Sequence, residues 1–144
     1  VDDPANATRE TPATPILGMI APAQDYWNVL GNRWVRAEEC DFVTRLMFMQ
    51  QMHKTYAGTS TVCTGVASKL PGTIVYEMAR QECQERLATF FGHPGGVIET
   101  EAKVELDGNT WRAARATVAR TARRIMEGYV FVPSWAEHLE IAAE

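Results

Sequence analysis

Two cationisable side chains, His53 and Lys54, stand just ahead of the small residues Ala57, Gly58, Thr59 and Ser60 in the stretch HKTYAGTSTVCTGVASKLPGT, residues 53–73. An apolar series opens behind them, with Val62, Cys63, Val66 and Leu70 recurring at helical spacing. Thr59 or Ser60 offers a hydroxyl for the N-cap, and Pro71-Gly72 stops the helix. The pattern predicts a helix over about 59–70 with one apolar face and a polar mouth. First-turn N–H groups lack partners and carry the positive end of the helix dipole, so such a mouth suits an anion. Gly58 would let that anion approach the backbone closely. A capped core helix after a glycine turn accounts for the same residues, and spacing alone does not separate the two.

The other candidates also read two ways. His53 suits a proton donor or carboxylate ligand near neutral pH, or a histidine hydrogen-bonded at a strand end. Lys54 is a ligand beside the mouth or a solvated cation. His93-Pro94-Gly95-Gly96 is a plain hairpin turn or a loop offering backbone amides to a carboxylate. Arg112, Arg115, Arg120, Arg123 and Arg124 read as a solvated sheet face, from which one might reach the mouth. Cys63, one turn inside the helix on its apolar side, is expected to be an inert core thiol. Cys40 and Cys83 show no partner or activating neighbour. The three histidines, His53, His93 and His138, lack HxxxH or HExxH spacing and the cysteines lack a CxxC pair, so no metal site is expected. Three widely spaced cysteines point to reduced thiols and a cytoplasmic setting rather than a disulfide framework.

These residues must be positioned by elements that the rest of the chain supplies. Residues 1–15, with three prolines and no apolar periodicity, read as an extended linker. Ile16–Pro22 reads as a buried strand, and Gly31-Asn32 marks a turn. Cys40–Met49 fits strand or helix. GTIVYEMARQECQE, residues 72–85, reads as a short strand or turn followed by a helical piece. Leu87–Phe91 and Val97–Leu106 read as strands joined by the GHPGG turn, and Asp107–Asn109 closes the next hairpin. From Trp111 to Met126 alanine and arginine favour helix, against the strand-like GYVFVP that follows.

At 144 residues the chain suits one core and one domain. A net charge of −4 without an arginine or lysine run argues against nucleic acid as a partner. No apolar stretch reaches the roughly 18 residues that span a membrane. The acidic, polar start is unlike a signal or transit peptide, and the sequon at Asn6 reads as incidental.

Three motifs in order, HKTYAGTSTVCTGVASKLPGT, FGHPGG and TARRIMEGYVFVP, resemble the PrpF-like family of methylaconitate isomerases, related to oxalomesaconate tautomerases and methylitaconate isomerases. The resemblance runs from about Thr14 to Pro133. It implies an α+β fold similar to diaminopimelate epimerase, with two lobes that each wrap a strongly curved, mostly antiparallel sheet around a central helix. This chain resembles the second lobe only. It implies a domain over 16–135 that is incomplete without a partner, a tail over 136–144, and the central helix at about 59–70. It moves the late segment to strands, around Ala113–Arg120 and Arg123–Val132.

The activity implied is a proton shift in an unsaturated di- or tricarboxylate of the aconitate or oxalomesaconate type, needing no cofactor. On the resemblance, the second-lobe substrate contacts fall on His53, Lys54, Gly58, Thr59, Ser60, His93, Pro94 and Gly95. The main acid and base belong to a first lobe on a companion polypeptide, with His53 the one catalytic candidate here. Self-association is a further expected assembly, and a non-catalytic carboxylate-binding or assembly module is the alternative. The chain departs from epimerase relatives at Ala57, where they carry a catalytic thiol. That puts two-thiol racemisation in doubt.

Overall fold

The computed structural model describes residues 3–133. Residues 4–10, expected to be extended, form a 3-10 turn (Pro4–Asn6) and one helical turn, α1 (Ala7–Glu10). Asp3 causes this: its carboxylate accepts from the Ala5 amide at 2.9 Å ahead of a proline at the first helical position.

The body is a six-stranded mixed sheet, curled into a half-barrel. Its strands are β1 (Leu17–Pro22), β4 (Phe42–Phe48), β6 (Ala88–His93), β7 (Gly96–Asp107) and β8 (Thr110–Val118), paired in that order. The short β5 (Gln51–Met52) folds back on β4 through Met49 and Gln50. Every pair is antiparallel except β4 with β6. A separate hairpin, β2 (Tyr26–Asn28) and β3 (Arg33–Val35), turns at Asn32, whose φ is +48°.

Cys40–Met49 thus resolves to a strand, as its aromatic and β-branched residues favour. Phe42, Val43, Thr44 and Leu46 of β4 are buried. Phe42 stacks on its register partner Phe91, centroids 5.4 Å apart, and Tyr56 meets Phe91 edge-on at 5.1 Å. Gly108, with φ +60°, makes the tight β7–β8 turn. β1 forms where expected but is an open edge: Leu17 and Met19 are more than half exposed, not buried.

The central helix, α2, spans Gly58–Ala67 and packs on β7 and β8. It begins one residue early, because Ala57 holds the extended N-cap conformation and neither Thr59 nor Ser60 caps it. It ends ahead of Pro71, the last turn tightening as Lys69 and Leu70 donate to Val66 and Ala67. Its buried face is Thr61, Thr64, Gly65 and Ser68, not the apolar series. Two short helices follow, α3 (Ile74–Met78), capped by Thr73, and α4 (Gln81–Glu85).

Alanine and arginine propensity yields to sheet pairing, and β8 runs slightly ahead of the expected span. The second expected strand, over Arg123–Val132, does not form. Among the described residues no strand lies beside it, and Tyr129 and Phe131 are about fully exposed. The tail over 136–144 lies outside the described residues. Among the described residues no helix is long and apolar enough to cross a membrane.

Candidate active site at the mouth of the central helix

Tyr56 sets the entry of α2. Its ring is in the core, and its hydroxyl lies 3.3 Å from Thr44 Oγ1 and 3.0 Å from Thr64 Oγ1. The chain then turns at Ala57, and the first intrahelical bond runs from the Thr61 amide to the Ala57 carbonyl at 2.8 Å. The amides of Gly58, Thr59 and Ser60 therefore stand free of the helix ladder, and none has a partner among the described residues. Arg120, just beyond β8, brings its guanidinium to this mouth. Its Nη2 occupies the space that a Cβ on Gly58 would need. Gly58 leaves the room that this guanidinium takes, and the mouth joins a cation to the positive end of a helix.

A second group of residues comes from the loops 53–55 and 93–96. The His53 amide donates to the Leu46 carbonyl at 2.7 Å, tying the first loop to β4. His53 Nδ1 accepts from the Thr55 amide at 3.2 Å and lies 3.3 Å from the Thr55 hydroxyl. His93 ends β6 and is only 5% exposed. Its Nδ1 accepts from the Gly95 amide at 3.1 Å, so that amide is occupied by the ring. Pro94 is buried, its carbonyl accepting from Val29, and the Tyr26 hydroxyl donates to the Gly96 carbonyl. Gly95 has no room for a side chain between Leu30, the His93 ring and the Thr55 methyl. This contact joins the two loops.

Burial, then the nearby Arg45 guanidinium and the neighbouring His53, push the His93 imidazole down to about 4. Burial raises the Tyr26 phenol to about 12. Lys54 is exposed and has no hydrogen-bond partner among the described residues.

Elsewhere the buried polar groups serve the fold. Lys69 donates its ammonium to the carbonyls of Cys83, Arg86 and Ala88, and burial lowers its pKa. Asp41 accepts from Arg86 at 2.6 and 2.7 Å and from the Phe90 amide at 2.8 Å. Cys63 is exposed, which corrects the expected core thiol: it lines an open groove between α2 and β1. Among the described residues no cluster of three His, Cys, Asp or Glu side chains could hold a metal ion.

The structure thus places His53, Lys54, Gly58, Thr59 and Ser60 on one segment entering α2. It sets His93, Pro94 and Gly95 on the adjoining loop. Sequence reasoning missed Thr55 and Arg45, and could not choose Arg120 from five arginines. Only the point where β8 ends selects it. Arg112 and Arg115 lie on the exposed face, paired with Glu105 and Glu101.

Comparison with known proteins gives this geometry a context. The model for the PrpF protein family matches residues 2–133. The chain is 44% identical over 126 residues to a 3-methylitaconate isomerase of Eubacterium barkeri, covering 88% of this chain and 32% of that protein. It is 35% identical over 120 residues to a 2-methyl-aconitate isomerase of Shewanella oneidensis, covering 83% and 30%. A crystal structure of methylitaconate-delta-isomerase superposes with a TM-score of 0.75 at 38% identity, over all of this chain and 36% of that one. The chain spans about a third of the length of the curated relatives it matches. The curled sheet around α2 is thus a lobe of the diaminopimelate-epimerase-like fold, and the chain belongs to the PrpF protein family.

Proposed function

We propose that this chain supplies the second-lobe half of an isomerase or tautomerase active site. The reaction shifts a proton in an unsaturated di- or tricarboxylate of the methylitaconate, methylaconitate or oxalomesaconate type. The observation that carries the reading is the mouth of α2, where three unpaired amides converge with the Arg120 guanidinium. A substrate carboxylate binds there, near His53, Lys54 and the loop His93–Gly95. Removing a proton from carbon beside a carboxylate spreads negative charge onto oxygen, and fixed donors stabilise that charge without reorganising. The shift is redox-neutral and runs on protein acid and base groups, supplied mainly by a first lobe outside this chain. Three free thiols support a reducing, cytoplasmic setting.

A carboxylate-binding or assembly module is the second reading, since the main acid and base groups fall outside this chain; Ala57, standing where epimerase relatives carry a thiol, favours an isomerase over a two-thiol racemase. The test combines this chain with a first lobe of a PrpF relative and follows deuterium uptake into 2-methylaconitate in D2O by proton NMR. Uptake that needs both polypeptides supports the isomerase. Binding of the acid by a formed complex without uptake selects the module. No binding and no uptake overturns both.

A further inference from the structure

His53 and His93 share an arrangement that their positions on separate loops do not require. Each ring accepts, at Nδ1, the amide two residues onward, Thr55 for His53 and Gly95 for His93. A ring whose Nδ1 accepts carries its proton on Nε2. The His93 ring is nine-tenths buried, and its Nε2 has no partner among the described residues. Among those residues no enclosed side-chain nitrogen or oxygen lacks a partner, so this Nε2 reaches the surface. The charged groups that act on it are Arg45 and His53, both cationic or cationisable. Protonating Nδ1 would cost the Gly95 bond. The Thr55–Gly95 contact sets this ring beside the segment that enters α2.

We propose that His93 is a neutral hydrogen-bond donor that presents Nε2–H to an oxygen of the anionic substrate, with His53 held in the same tautomer beside it. The inference rests on the carboxylate reading of the α2 mouth. It deepens that reading by assigning His93 the part of an uncharged donor, neither proton source nor cation. A neutral donor stabilises developing oxyanion charge without giving up its proton, so its contribution stays constant across neutral pH. The Gly95 amide serves the ring rather than the ligand, which makes the side chain the loop's recognition element.

The test uses long-range nitrogen–proton NMR of the labelled chain, with citrate as the probe. At pH 7 both rings should show the Nε2–H form, and His93 should keep it to pH 5. Citrate should shift His93 Nε2–H together with the amides of Gly58–Ser60. His93→Gln, which keeps a donor, should hold the affinity within about threefold, and His93→Leu should lose about tenfold. An Nδ1–H tautomer, or protonation of His93 near pH 6.5, overturns the inference whether or not the leucine variant folds. A shift of the α2 amides with a silent His93 overturns it and leaves the mouth standing. No response to citrate anywhere overturns the mouth and the inference together.

Discussion

Acidifying the folded chain from pH 7 toward pH 4 should remove stability that one side chain supplies by staying neutral. His93 takes a proton near 6.5 in the unfolded chain but only near about 4 when folded. The unfolded state therefore binds more protons between those values, and stability falls as the pH drops through that window. Above 6.5 the contribution is fully present; below about 4 it is gone. A shift of that size has a ceiling of about 3 kcal/mol. Nε2 at the surface admits water, so the expected loss is about 1–2 kcal/mol. Asp25, Glu39 and Glu105 also have lowered pKa values from paired cations and backbone donors, and they lose stability in acid too. The assay is therefore a difference: urea unfolding of the parent and of His93→Gln at pH 7, 6, 5 and 4. The gap between the two proteins should shrink by about 1–2 kcal/mol on acidification. Two curves that fall in parallel would show that His93 titrates alike in both states, and the burial argument would fail.

Gly58→Ala should leave the melting temperature unchanged or slightly higher, because the displaced atom is the flexible end of Arg120, while citrate affinity falls about fivefold; unchanged affinity by calorimetry would remove Arg120 from the mouth. Cys63 should react with a thiol reagent in the folded chain while Cys40 and Cys83 wait for unfolding, and Cys63→Ser should change stability by less than about 0.5 kcal/mol. Gly65→Ala gains helix propensity but drives a methyl to 2.7 Å from Thr100 Cγ2, so denaturant unfolding should show a net loss of about 1–2 kcal/mol. Lys69→Met strands the carbonyls of Cys83, Arg86 and Ala88 and should cost about 2–4 kcal/mol by the same measurement.

Local chemistry made much of the fold legible. Gly108, Gly31-Asn32 and the GHPGG run marked turns because few residues tolerate those backbone conformations, and β6 and β7 fell between them. The helix was placed within a residue at its start. Its buried face was inverted, because pattern reading counts Thr and Ser as polar and Val and Cys as core. Here Thr64 is satisfied by Tyr56 and Ser68 by Thr89 and the Gly65 carbonyl, and a hydrogen-bonded hydroxyl packs in a core at little cost. β8 could not be called from its alanines and arginines, since its partner β7 decides it. The candidate site was legible where it is local, along 53–60 and 93–95. Arg120 and the His93–Gly95 bond depend on where distant segments end, and no spacing rule reaches them.

The inverted face of α2 has a consequence for assembly. The helix hydrogen-bonds to its sheet through Ser68, and on another side it leaves Cys63 exposed with Val62 and Val66 half-buried, so part of its surface is open to contact. An apolar groove of about 280 Å³ lies between β1 and α2, lined by Ile16, Ile20, Cys63 and Val75. Leu17 and Met19 are exposed on the edge strand β1, and Tyr129 to Val132 are exposed with no strand beside them among the described residues. Open edges and contiguous apolar surface favour association. The matched relatives are about three times as long as the region they share with this chain. A companion lobe that covers these surfaces would also close the α2 mouth from water, where its amides and Arg120 act on charge more strongly than in solvent. On the proposed function, one contact with a companion lobe would cover both the exposed thiol side of α2 and its mouth.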